Sequence, residues 1–440
     1  MGGIQAMEIK RDAYLQQLIN RMGNGMIKII AGMRRVGKSY LLNHLFYQHL
    51  ITQGADDRKI IRFDFSSAID LNRIGERYYE LKKNREKVDP SKFVDFIHEQ
   101  CKEEGPYYLL LDEVQEMDGF EWVLNGFLSE GKFDVYVTGS NAKFLVKDIV
   151  TEFRGRGDKI HVLPLSFSEC WTYYDENKQI ALEKYMNFGG LPLAVTSSND
   201  KDKIKYIKTQ IDETYLTDII DRYQIRNTVE LDTLFNILAS GIAGLVNPKK
   251  LSAAFKSRNL SLSEQTIANY IRYFEDAFLI DVASRYNVKG KNYISTPYKI
   301  YFEDLGVRNA RIDFRQTERT HIMENLIYNE LRYRGYSVDV GEVEIRKTVK
   351  DASGTSKQVQ SFLEVDFVAN EGSKRYYIQS AYQIPDSEKL SQETKPLLSI
   401  GDSFKKMVIV YDYIVPHYDE HGIFYMGLLD FLTDPHSLER

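Results

Sequence analysis

Residues 31–39 read Ala31-Gly32-Met33-Arg34-Arg35-Val36-Gly37-Lys38-Ser39. The apolar run Met26-Ile27-Lys28-Ile29-Ile30 before them predicts a short buried strand. Tyr40-Leu41-Leu42-Asn43-His44-Leu45 after them predicts the start of a helix. Gly32, Gly37, Lys38 and Ser39 satisfy G-x-x-x-x-G-K-[ST] in the strand–loop–helix setting that the chemistry requires. Glycines let successive backbone N–H groups wrap a polyphosphate. The helix that follows turns its positive end toward that charge. Gly32, Met33, Arg34, Arg35, Val36, Gly37, Lys38, Ser39 and Tyr40 are therefore the expected cradle for ATP. Lys38 is expected to reach the β- and γ-phosphates, and the Ser39 hydroxyl to ligate Mg²⁺.

Outward from this loop, Tyr107-Tyr108-Leu109-Leu110-Leu111 predicts a second buried strand that ends in Asp112-Glu113, the Walker B pattern. Asp112 is expected to hold Mg²⁺ through water. Glu113 is expected to orient and deprotonate the attacking water, which a carboxylate held at the end of a parallel strand can do. A third strand, Phe133–Val137, ends in Thr138-Gly139-Ser140-Asn141. A polar residue at its tip would lie between the two motifs, and Ser140 and Asn141 are the candidates for sensing the γ-phosphate. Another strand is predicted at Lys59–Phe65, and strands alternating with helices argue a parallel sheet covered on both faces. Arg154 and Arg156 follow the third strand. Either guanidinium is a candidate arginine finger, in cis or offered to a neighbouring subunit of a homo-oligomer. A solvated surface loop is the alternative for both.

The bulk composition bounds the rest. A chain of 440 residues suggests about three domains. With 43% apolar and 28% charged residues it has an ordinary globular composition. A net charge of −5 excludes a basic mass that binds polyanions everywhere, so a nucleic-acid contact has to be a local patch. Cys101 and Cys170 are the only cysteines and suggest neither a disulfide framework nor a zinc site. No apolar run approaches the roughly 20 residues of a membrane span, and the first ten residues lack a signal-peptide core. The expected location is the cytoplasm, with no membrane partner.

From Ser166 to about Asn227 the pattern is helical, as expected of a lid. Residues 231–305 read as a winged helix-turn-helix. Asp232–Ala243 predicts its first helix and Pro248–Phe255 its second. Ser261 and Glu264 form a capping box. Ile267, Tyr270, Ile271, Phe274 and Phe278 then repeat at helical spacing. Strands at Leu279–Tyr286 and Tyr293–Tyr301 would flank a wing carrying Lys289-Gly290-Lys291. Lys249, Lys250, Lys256 and Arg258 form one basic cluster, and Arg285, Lys289, Lys291 and Lys299 form another around the wing. These make duplex DNA a candidate partner, although the segment as a whole is only weakly basic.

Residues 306–440 carry a third signature: a helix over Thr320–Arg334 containing Glu324, a strand containing Asp366, and a strand over Arg375–Ala381. This is the layout of restriction endonucleases, PD-(D/E)xK, in which two carboxylates hold Mg²⁺ and a lysine assists water. Glu324 and Asp366 fit it. Gln379 replaces the third acid and Ala381 replaces the lysine, so the nuclease-like site reads as degraded. A polar loop over Lys347–Gln358 is expected to join two strands.

The P-loop, Leu-Leu-Leu-Asp-Glu, Thr-Gly-Ser, Arg-Gly-Arg, Leu163-Pro164-Leu165-Ser166-Phe167-Ser168-Glu169 and Phe188-Gly189-Gly190-Leu191-Pro192 occur in an order that resembles a group of prokaryotic AAA-type ATPases. The C-terminal half of that group is a domain of unknown function, and the group is distantly similar to archaeal-type and STAND ATPases. The resemblance covers nearly the whole chain. It implies that Gly-Gly-x-Pro belongs to the helical lid and that Pro192 packs near the adenine. The expected architecture is α/β: a P-loop NTPase core (1–165), a helical lid (166–230), a winged helix (231–305) and a restriction-endonuclease-like domain (306–440). Three functions compete. The first is an ATPase that couples nucleotide state to DNA. The second is a STAND-like switch acting on a protein partner. The third, favoured least, is an active ATP-dependent nuclease.

Overall fold

The computed structural model describes residues 8–139, 155–174, 176–257, 260, 262–315, 318–350, 356–384 and 386–440. They group into two compact units. One is Glu8–Pro164 with Asp276–Phe278, and the other is Leu165–Glu275 with Leu279–Arg440.

The first unit is built on five parallel strands: β1 (Ile27–Ala31), β2 (Ile60–Asp64), β3 (Tyr107–Asp112), β4 (Phe133–Gly139) and β5 (Gly157–His161). Their order is β2-β3-β4-β1-β5. Every residue of β1 is buried, as expected of a parallel strand covered on both faces. Phe63, Phe65 and Phe93 fill the space between β2 and the helix Pro90–Gln100, with ring centroids 4.8–5.0 Å apart. Lys28 interrupts the apolar pattern of β1. Its ammonium is fully buried, ion-paired to Asp134 of β4 and 4.8 Å above the Tyr136 ring, which is how a buried charge is tolerated. The topology sets β4 between β1 and β3, so the carboxyl ends of these three strands lie side by side. Ligands of open α/β sheets bind at such ends.

The second unit opens with helices, including Phe167–Tyr174, Lys178–Phe188, Pro192–Thr196 and Asp200–Thr209. Next come Thr228–Ser240, Pro248–Lys256 and Glu264–Asp276. The cap of the last of these is Ser263, whose Oγ accepts from the Thr266 N–H at 3.0 Å. This corrects the capping box expected from Ser261, a residue outside those described. Glu264 is the first helical residue, so the cap lies immediately before it.

A nine-stranded sheet then joins β6 (Leu245–Val246), β7 (Ile280–Asn287) and β8 (Asn292–Phe302) to β9 (Ser337–Lys350), β10 (Ser356–Glu371), β11 (Lys374–Ala381), β12 (Lys405–Val410), β13 (His417–Tyr418) and β14 (Ile423–Gly427). The strands expected to flank a wing are thus part of the same sheet as those near the C-terminus. The polar segment expected to be a loop is largely strand: β9 runs to Lys350 and β10 resumes at Ser356. Its polar composition reflects exposure, because a ribbon that covers no core needs no apolar alternation.

Candidate functional site

At the carboxyl end of β1 the chain turns through Gly32, where a Cβ would collide with the Val162 carbonyl. It re-enters a helix after Gly37, whose φ of 92° favours glycine. The helix begins at Lys38 and continues through Leu41–Phe46 with wider π-type turns. The Lys38 ammonium is buried in the loop and donates to the carbonyls of Gly32 at 2.9 Å and Met33 at 3.0 Å. Met33 and Val36 are buried beneath the loop, while Arg35 stands exposed at its rim with φ 70°. The Tyr40 hydroxyl donates to Glu8 at 2.8 Å.

Asp112 ends β3 with its carboxylate almost wholly buried. Burial raises its pKa, the Ser39 and Thr138 hydroxyls that bond it oppose the rise, and Glu113 and Asp64 add to it. Asn43 donates to the same carboxylate at 3.4 Å. The structure therefore brings Ser39 and Asp112 into direct contact. A hydroxyl and a carboxylate are the hard oxygen donors that suit Mg²⁺. Glu113 follows in a left-handed conformation, φ 51°, which turns its side chain out of the strand's alternation. Its carboxylate accepts from Gln115.

Thr138 was not singled out in the sequence, yet it ties these groups together. Its hydroxyl donates to Asp112 and accepts from the Glu113 N–H at 3.1 Å. In the sequence it looks like any β-branched strand residue; only its place next to the tip hinted at a role. A polar cavity of about 410 Å³ opens at the carboxyl end of β2, lined by Asn43, Arg62, Asp64, Asp70 and Arg73 among others.

Ser140, Asn141 and Arg154 lie outside the described residues. Arg156 lies just before β5, at the amino end of the sheet. Its carbonyl accepts from Ile27 N at 2.8 Å, and its guanidinium reaches Ser129 at 3.4 Å. This corrects the cis option for Arg156. The loop follows Ala31, at the other end of the same strand pair. Pro192 belongs to the second unit, where it opens the helix Pro192–Thr196. The Gly190 N–H before it donates to Asp304 at 2.7 Å.

In the second unit, Glu324, Asp366 and Gln379 come together with Lys299, which the sequence placed in the basic cluster of the wing and which the structure buries among carboxylates instead. Lys299 of β8 places its ammonium 2.8 Å from Glu324 and 2.7 Å from Glu364. The Tyr301 hydroxyl donates to Glu324 at 2.7 Å. Burial works against the Lys299 charge, but Glu324, Asp366 and Glu364 hold its pKa above the ordinary range. Asp366 accepts from the Ser380 N–H at 2.8 Å. Burial, then Glu324, pushes its pKa up to about 8 against the pull of Lys299. Gln379 spends its amide within the cluster, accepting from Asp366 N at 3.4 Å and donating to Glu393 at 3.3 Å. Among the described residues, no group of three or more His, Cys, Asp and Glu side chains is arranged to hold a metal ion.

The loop, the acidic strand end and the parallel sheet define an AAA-type P-loop domain. Residues 24–171 match a family model described as an AAA domain. The chain belongs to the same family as an uncharacterized protein of Haemophilus influenzae, 31% identical over 411 residues that cover 92% of this chain and 94% of that one. An uncharacterized protein of Methanocaldococcus jannaschii is 27% identical over 422 residues, covering 92% of this chain and 88% of the other. A domain of unknown function, DUF8612, matches residues 179–318, the middle of the chain rather than its C-terminal part. Among solved structures, the Aeropyrum pernix ORC1 protein in complex with DNA is similar at 11% identity and a TM-score of 0.29, covering 70% of this chain and 93% of that one. Among the described residues, no helix is long and apolar enough to cross a membrane.

Proposed function

We propose that the protein hydrolyses ATP with Mg²⁺ and couples its nucleotide state to engagement of duplex DNA. The observation that carries the reading is the convergence of Lys38, Ser39, Asp112, Glu113 and Thr138 at neighbouring strand ends. On this reading, Lys38 exchanges the carbonyls of Gly32 and Met33 for phosphate oxygens. Ser39 and Asp112 hold Mg²⁺, which would neutralise charge on the phosphates. Glu113 takes the proton of the attacking water.

Of the divisions expected from the sequence, 1–165, 166–230, 231–305 and 306–440, the last two share the nine-stranded sheet and are taken together as one body. Arg156 acts on the nucleotide of a second copy. Pro192 packs near the adenine. The Glu324–Asp366–Gln379 cluster serves a nuclease-like fold without nuclease activity, because Lys299 already supplies the cation its carboxylates need. The cytoplasm suits both cysteines, which are buried thiols.

The test is steady-state ATP hydrolysis with and without duplex DNA, with Glu113→Gln as control. DNA stimulation in the parent, with ATP still bound but hydrolysis slowed strongly in the variant, is the expected result. Slow turnover indifferent to DNA would replace this reading with a nucleotide switch acting on a protein partner. An unimpaired Glu113→Gln variant would remove Glu113 as the base.

A further inference from the structure

The β9–β10 pair outruns the sheet that supports it. β11 pairs with β10 only from Phe367 to Glu371, and β7 pairs with β9 only from Val340 to Glu342. Among the described residues, Val343–Lys350 and their partners on β10 therefore have no third strand. At about 3.4 Å per residue the free ribbon projects roughly 24 Å. A two-stranded hairpin in water is marginally stable alone, and this one leaves Val359 and Phe362 about half exposed.

Its chemistry is one-sided. The free ribbon carries one acid, Glu344 at its root; beyond it the described residues 345–350 and 356–363 hold Arg346, Lys347 and Lys357 and no acid. The register pairs Arg346 with Gln360 and Thr348 with Gln358, so a guanidinium, a hydroxyl and two amides share one face. Lys347 lies opposite Val359 on the other face, with Lys357 two residues away on the same side. At the ribbon's root the turn after β7 docks on β9: Val288 N donates to Glu342 O at 2.9 Å, and Lys289 donates to Glu344 O at 2.6 Å. Lys291 stands exposed beside it.

We propose that this ribbon enters the major groove of duplex DNA. The groove is about 12 Å wide and admits a two-stranded β-ribbon. Arginine and glutamine are the side chains that pair bidentately with guanine and adenine edges there. Lys347, Lys357, Lys289 and Lys291 then meet phosphates along the ribbon and at its root. The inference rests on the DNA reading above and names its surface.

The test is fluorescence anisotropy of the full chain with a short mixed-sequence duplex, titrated between about 50 and 200 mM salt. Lys347→Ala with Lys357→Ala should weaken binding by at least about tenfold and reduce the salt slope by about 2. Arg346→Ala with Gln360→Ala should weaken it further. Lys249→Ala with Lys250→Ala, on the helix Pro248–Lys256, is the comparison, and thermal unfolding checks that each variant folds. Parent-like binding by the ribbon variants, with loss only in the helix variant, would overturn the ribbon while DNA binding stood. No binding by the parent at the lowest salt would overturn both.

Discussion

Thr138 shows how much one hydroxyl holds at the nucleotide site. It donates to Asp112, the carboxylate that Ser39 also bonds, and it accepts from the backbone N–H of Glu113. Groups that orient a metal-binding carboxylate from behind typically carry 10–100-fold in affinity or activity. Thr138→Val keeps the branched shape and removes only the hydroxyl. The expected outcome is a fall of about 10–100-fold in hydrolysis at saturating ATP and Mg²⁺, with the unfolding temperature close to the parent's. Initial rates and a thermal melt check it; a rate within twofold of the parent would show that Thr138 positions nothing that matters. The sequence made Lys38, Ser39, Asp112 and Glu113 legible because each belongs to a short local pattern with a fixed spacing. Thr138 belongs to no such pattern. Its role comes from β4 lying beside β3, a pairing between residues 26 apart.

At the scale of elements, the same difference separates what the sequence discloses from what it hides. Glu324 and Asp366 could be read because a helix and a strand in that order suggest a known layout. Lys299 could not, since it lies on β8, 25 residues before Glu324 and 65 before Glu364, and meets both only once the strands and the helix of this unit have assembled. The outer half of the β9–β10 ribbon was hidden for the opposite reason, because polar strands without a core look like loops.

The cluster makes its own pH prediction. Asp366 has a folded pKa of about 8 against an ordinary value of 3.8. Between those values the native chain keeps a proton that the unfolded chain has released. Stability from this group therefore falls as pH rises through the window, by on the order of 1 kcal/mol per pH unit at the steepest. Asp366→Asn can still accept from the Ser380 N–H and cannot ionise. Urea denaturation at pH 5 and pH 9 should show the variant gaining on the parent as pH rises. A gap between parent and variant that stays constant from pH 5 to pH 9 would mean instead that Asp366 is already a carboxylate in the fold, paired with Lys299.

For the whole molecule, the question is whether one copy is a complete enzyme. Arg156 precedes β5, and its carbonyl bonds Ile27 at the start of β1, whereas the phosphate loop follows Ala31 at the end of β1. Five strand residues span about 16 Å, further than an arginine side chain extends. A phosphate that Arg156 touches therefore belongs to another copy. An arginine finger offered in trans is worth about 10³–10⁵ in rate. If Arg156 is such a finger, hydrolysis per chain should rise with protein concentration as copies associate. Arg156→Ala should flatten that rise and leave a low rate that does not depend on concentration. Mixing Arg156→Ala with Glu113→Gln sharpens the test. The first variant keeps an intact loop and base, the second keeps an intact arginine, and together they rebuild some complete sites. Recovery of hydrolysis in the mixture, above the sum of the two alone, is the result expected of a shared site. A parent whose rate per chain is constant across concentrations, and a mixture that recovers nothing, would make Arg156 a surface residue and each copy self-sufficient.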